Sequence, residues 1–143
     1  MKKKILIVAC LAGAFGLATS SLAQPGGSPV GVRVKVPFDF AVSGSTYPAG
    51  EYTMLAVTGQ IQIEDAAGRV AAMALANNIS GRSVGSNGQV VFHCYHERCF
   101  LSEVWSPAWE YGRQLPTSRS EAKVARAESA KYFALLGEKR KSQ

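Results

Sequence analysis

Every even-numbered position from residue 30 to residue 42 is apolar: Val30, Val32, Val34, Val36, Phe38, Phe40 and Val42. The odd positions between them include Arg33, Lys35 and Asp39. A period of two marks a strand with one buried face, so the chain needs a sheet and a second layer to cover that face. Pro37 has no N–H to give to a ladder. The strand is therefore expected to lie at an edge there or to bend, passing between two parts of a sheet.

The segments that follow continue the β reading. Residues 43–50 read as a turn-rich loop in which Pro48-Ala49-Gly50 favours a reversal. Residues 51–57, 60–65 and 69–76 read as strands, separated by Thr58-Gly59 and Ala66-Ala67-Gly68, where glycine suits the positive φ of a hairpin turn. Residues 77–88 are polar and glycine-rich and are expected to be a mobile loop. Residues 89–95 and 98–105 form a last hairpin. Past Pro107 β character fades, and Ser118-x-x-Glu121 is a capping box for a helix expected to run to Leu136, before Gly137. Ala122, Ala125, Ser129, Tyr132, Phe133 and Leu136 would form its weakly apolar stripe. The expected fold class is mainly β, a small antiparallel meander barrel or sandwich with a C-terminal helix.

The first 23 residues belong to a different physical category. Lys2, Lys3 and Lys4 precede an uncharged apolar run over residues 5–18, and Ser21-Leu22-Ala23 ends it as a small-x-small cleavage site. This is the three-part layout of a secretory signal, and it is shorter than the about 20 apolar residues a membrane span needs. The expected division is a signal peptide over residues 1–23, a β domain over 24–117 and a basic helix with tail over 118–143. A lipobox reading at Cys10 would leave too short an apolar core, so Cys10 reads as part of the leader.

Removing the leader lysines leaves thirteen basic and ten acidic residues, a balance of +3. Residues 24–118 hold six basic and seven acidic side chains, and residues 119–143 hold seven and three. A near-neutral body offers no basic face for phosphates, which argues against a nucleic-acid partner. The basic C-terminal helix is the place for an envelope contact or a protein partner, set against a plain solvated face.

His93, Cys94, His96 and Cys99 fall within seven residues, a density that invites a metal reading, since thiolate and imidazole are preferred zinc ligands. If His96-Glu97 are the central turn residues, Cys94 and Cys99 occupy a non-hydrogen-bonded pair, where Cα atoms approach to about 4.5 Å, within disulfide reach. Export supplies the oxidising compartment in which such a bond persists. The expected assignment is a Cys94–Cys99 disulfide that pins hairpin register. A metal site on Cys94, His96 and Cys99 stands as the alternative, as do free thiols, whereas His93 lies on the opposite face from Cys94.

Trp105, Trp109 and Tyr111 could form a stacking platform for a ligand, although aromatics at a strand end more often pack as core or lid. Asp39, Glu103 and Glu110 sit in separate elements and read as solvated charges, not as paired catalytic carboxylates. The chain carries no nucleophile elbow, zinc-protease helix, phosphate loop or dinucleotide fingerprint. No catalytic residue and no cofactor are expected.

Three groups of residues carry a resemblance. They are Val34-Lys35-Val36-Pro37-Phe38-Asp39-Phe40 followed by Pro48-Ala49-Gly50-Glu51-Tyr52; Val91-Phe92-His93 with Tyr95, Phe100-Leu101-Ser102 and Trp105; and Gly112-Arg113 with Leu115-Pro116 and Ser118. Together they resemble a family of small exported β-rich proteins of unknown function from acidobacterial-type bacteria. The resemblance implies an exported β domain and no particular activity. Cys94, His96-Glu97 and Cys99 depart from that family's pattern of a Gly-Asp type turn without cysteines, which favours a local staple over a shared catalytic centre. The function expected is that of a non-enzymatic exported domain, binding or structural in the cell envelope. The alternative is a small metal- or thiol-dependent activity on the Cys/His hairpin.

Overall fold

The computed structural model describes residues 31–139. The expected leader with Cys10, the expected start of the mature chain at Gln24, Val30 and residues 140–143 lie outside them. Eleven strands and one helix follow in the order β1 (Val32–Val36), β2 (Phe40–Val42), β3 (Ser45–Tyr47), β4 (Gly50–Val57), β5 (Gln60–Glu64), β6 (Val70–Leu75), β7 (Asn77–Ile79), β8 (Gln89–Tyr95), β9 (Arg98–Trp105), β10 (Gly112–Gln114), α1 (Arg119–Ala125) and β11 (Lys131–Leu136). One sheet has the order β1-β4-β5-β6. The other runs β11-β8-β9-β10-β7, with β2 and β3 attached through β9. The class expected from sequence is found, and of its two forms the sandwich is the one adopted.

The alternating segment is two strands, not one. β1 pairs with β4 in the first sheet, and β2 pairs with β3 and, in parallel, with β9 in the second. The switch falls at residues 37–39, where Pro37 interrupts the ladder and the Asp39 carboxylate instead accepts a hydrogen bond from Ala49 N–H at 3.0 Å. Alternation persists through the corner, so Val32, Val34 and Val36 from one sheet and Phe40 and Val42 from the other all enter the same core. Phe40 packs edge-on to Tyr52 at 5.1 Å and to Phe92 at 5.5 Å, joining the two layers.

Several short strands lie where the sequence reads as loop. Ser43 and Gly44, both at positive φ, turn the chain between β2 and β3, so residues 45–47 are paired. Residues 77–79, expected in a mobile loop, form β7 against β10. These three-residue edge strands are held by main-chain pairing, and their side chains need show no alternation.

The largest correction concerns the C-terminus. The helix expected to reach Leu136 is only seven residues long, and residues 131–136 form β11, antiparallel to β8 with Phe133 opposite Phe92. Ala122 and Ala125 give a helix little to bury, whereas β8 presents a full edge of unpaired backbone groups. Pairing lets Phe133 reach Phe38 at 6.0 Å and Leu135 pack against the core. Residues 118–138 are therefore tied into the sandwich and do not form a separate helical tail; residues 140–143 of the expected tail lie outside the described residues.

The chain after β11 ties the sheets together at one corner. Gly137 N–H donates to the Gly88 carbonyl at 2.9 Å and Glu138 N–H to the Arg33 carbonyl at 2.7 Å. The backbones approach so closely that a Cβ on Gly137 would overlap the Asn87 carbonyl oxygen. Gly137→Ala is therefore expected to cost about 2 kcal/mol through forced separation, seen as a lower urea midpoint with unchanged slope; an unchanged midpoint would show the corner to be slack.

Candidate functional site

Chemistry-bearing side chains concentrate on the β8–β9 hairpin. Its register places Tyr95 opposite Arg98, Cys94 opposite Cys99 and His93 opposite Phe100. Cys94 and Cys99 form a disulfide with Cα atoms 4.0 Å apart. His96, the first turn residue, takes a φ of 56°. Both half-cystines face inward and are buried within the core cluster, at 3% and 9% exposure. A disulfide in that position is shielded from exchange partners, since thiol–disulfide exchange requires access to sulfur.

The metal alternative on Cys94, His96 and Cys99 depends on two thiolates. Both sulfurs are bonded to each other, while His96 is exposed at the turn. Among the described residues no group of three or more His, Cys, Asp or Glu side chains is placed to hold a metal ion.

The opposite face of the hairpin holds a polar cluster that the sequence does not announce. Glu121, on α1, is buried at 6% exposure. Its Oε1 accepts a hydrogen bond from the Tyr95 hydroxyl at 3.2 Å and lies 3.1 Å from His93 Nδ1. The Tyr132 ring, from β11, stands edge-on to the His93 imidazole at 4.7 Å. Ser118 Oγ accepts from Glu121 N–H at 3.1 Å, which is one half of the expected capping box. The Glu121 carboxylate does not turn back to the helix start; it reaches across to the sheet. The only trace of this role in the sequence is Glu121 three residues after Ser118, and nothing local says that the carboxylate has a distant partner.

This arrangement fixes an imidazole by its Nδ1 and buries a carboxylate with two partners. Burial, together with the Glu121 charge and hydrogen bond, pushes the Tyr95 hydroxyl above the 10.0 of a free tyrosine. The cluster acts chiefly as an anchor: it holds α1 on the outer face of the hairpin while Phe92 and Cys94 face the core.

Trp105, Trp109 and Tyr111 differ in burial and in the partners that hold them. Trp105 is buried at 6% exposure, its Nε1 donating to Glu103 at 2.7 Å and its ring against Gly112. Arg82 lies over that ring at 5.8 Å. Trp109 is partly buried against the core, with Arg113 over its ring at 5.8 Å. Tyr111 is exposed, and a hydrogen bond to Glu110 raises its hydroxyl pKa. Trp105 is thus a buried side chain, and Trp109 lies at the margin of the core. Asp39, Glu103 and Glu110 each serve a different partner, respectively Ala49, Trp105 with Arg82, and Tyr111.

An open groove of about 610 Å³ lies elsewhere, between β6 and residues 116–120. It is lined by Met73, Ala74 and Leu75 on one side and by Pro116 and Arg119 on the other, with the Ser43-Gly44 turn beside them. Met73 and Leu75 are 49% and 67% exposed. Sequence reading missed this groove because it is formed by segments distant in the chain. No protein-family model, curated protein or solved structure matches the chain.

Glu121→Ala would leave two polar partners without an acceptor and is expected to cost about 2–3 kcal/mol. Because the folded pKa of Tyr95 is raised, its hydrogen bond contributes fully below pH 10 and is lost as pH rises through the raised value. Tyr95→Phe should therefore flatten part of the alkaline fall in stability, to which the raised Tyr52 hydroxyl also contributes. An identical alkaline slope in Tyr95→Phe would contradict the assignment.

Proposed function

We propose that this chain is an exported β-sandwich that works by binding or as a structural component of the cell envelope, without catalysing a reaction. One observation carries the reading: the reactive side chains that the fold gathers are engaged with one another. Cys94 is bonded to Cys99 inside the core, and His93, Tyr95 and Glu121 meet beneath a helix. A metal- or thiol-dependent centre needs sulfur that a substrate or ion can reach. The leader, an oxidised cysteine pair and the lack, among the described residues, of any helix long and apolar enough to cross a membrane fit a chain delivered to the periplasm or the medium.

The open groove supports the binding side of this proposal. Large apolar side chains left exposed together on a sheet edge mark contact surfaces more often than chance exposure does. Family membership remains part of the proposal, resting on the residue pattern around Pro37, Phe92 and Gly112.

Expression with the native leader, followed by intact-mass and elemental analysis, tests the reading. The expected product begins at Gln24, weighs two hydrogens less than the dithiol form, holds no stoichiometric zinc or copper and does not reduce insulin disulfides with a thiol donor. Stoichiometric metal, or catalysed insulin reduction lost in Cys94→Ser, would instead establish the activity centred on the hairpin.

A further inference from the structure

β6 is the end strand of its sheet, and its outer edge has no partner strand among the described residues. A groove that ran across one face of a strand would touch alternate residues. This one is lined by three in succession, Met73, Ala74 and Leu75, so its wall is the edge of the strand. Ala76 N–H donates to the Gly59 carbonyl, on the β5 side. By the alternation of an antiparallel ladder, Ala74 also turns its backbone groups toward β5, and Met73 and Leu75 turn theirs into the groove.

The one edge-blunting device on β6 is a bulge at Ala71, where Ile63 faces Ala72 and Glu64 faces Val70, and it lies before the groove-lining residues Met73, Ala74 and Leu75. From Val70 to Leu75 there is no charged residue and no proline. On the core-facing side the strand offers only the small side chains of Ala72 and Ala74, so an added strand has room at the seam between the sheets. Across the groove stands Arg119, exposed and absent from every ion pair among the described residues.

These features discriminate between occupants. An acyl chain would cover backbone donors and acceptors without satisfying them, at roughly 1–3 kcal/mol for each group buried. A second copy of the chain would bring another Arg119 to a groove lined by no acidic residue. Residues 24–30, Gln-Pro-Gly-Gly-Ser-Pro-Val, contain two prolines that cannot donate to a ladder. We propose that the open edge of β6 docks an extended strand of a partner protein, apolar at alternate positions and carrying an acidic residue that meets Arg119. This rests on the binding reading above and names the class of partner.

The probe is an acetylated seven-residue peptide that alternates valine with threonine and ends in aspartate, titrated into the oxidised mature protein by calorimetry. Saturable binding is expected, weakened at least tenfold when alternate peptide amides are N-methylated so that one edge cannot hydrogen-bond. Met73→Pro removes an outward-facing N–H while sparing the β5 side, and it should weaken binding at least tenfold. Arg119→Glu, at an exposed position, should weaken it roughly three- to fivefold, as expected for an exposed ion pair, and a lysine-ended peptide should reverse that loss. Equal binding of the N-methylated peptide would show that the groove takes apolar surface alone and would overturn the proposal. So would absence of binding at millimolar peptide, or binding indifferent to both variants. Dimerisation by light scattering that Met73→Pro abolishes would assign the edge to a second copy. None of these failures would confer metal content or insulin reduction, so the non-catalytic reading is judged separately.

Discussion

Every part of the second sheet is held through one hairpin. β11 pairs with β8, β2 and β10 pair with different stretches of β9, and β7 attaches through β10. α1 rests on the same hairpin through Glu121. Its register is therefore the constraint on which the fold depends, since a slip of one residue would exchange the core and outer faces along its length. The Cys94–Cys99 bond fixes that register at the turn end. At the other end β9 carries an irregularity: Val91 faces Glu103 while Phe92 faces Leu101, leaving Ser102 as the extra residue. The bulge lets Cys99 and Leu101 at odd positions and Val104 at an even one all reach the core. It also turns the Ser102 carbonyl to accept from Leu115 N–H at 2.8 Å, bringing in the chain that leads to α1.

The two faces of the hairpin then divide the work. Inward, Phe92 meets Phe38 and Phe40 edge-on and closes the core between the sheets. Outward, His93 and Tyr95 meet Glu121, so a charged residue is buried where it has two partners. A seven-residue helix has little stability of its own, and its position derives from that contact and from the Ser118 cap. The reactive residue types of the hairpin are thus engaged with one another, and an open groove lies on the other sheet at β6.

What could be read from the sequence follows from how local each signal is. Alternation in residues 30–42, the bend at Pro37 and the pairing of Cys94 with Cys99 are all set within a few residues. In β11, Tyr132, Phe133 and Leu136 fit a weak helical stripe, and only the edge of β8, distant in the chain, makes a strand the better use of them. β7 and β3 are three residues each, too short to show a period. The Glu121 cluster and the β6 groove join segments whose neighbourhood exists only after folding.

Because the second sheet and α1 are held through the β8–β9 hairpin, it should be the most stable unit, whereas the outer edge of β6 has no partner strand among the described residues. Native-state hydrogen exchange tests this residue by residue. The account predicts the slowest exchange at amides of Val91, His93 and Phe100, which face across the hairpin ladder and require global unfolding to open, with Met73 and Leu75, which face away from β5, exchanging orders of magnitude faster. Exchange of the hairpin amides as fast as those of β6 would contradict it.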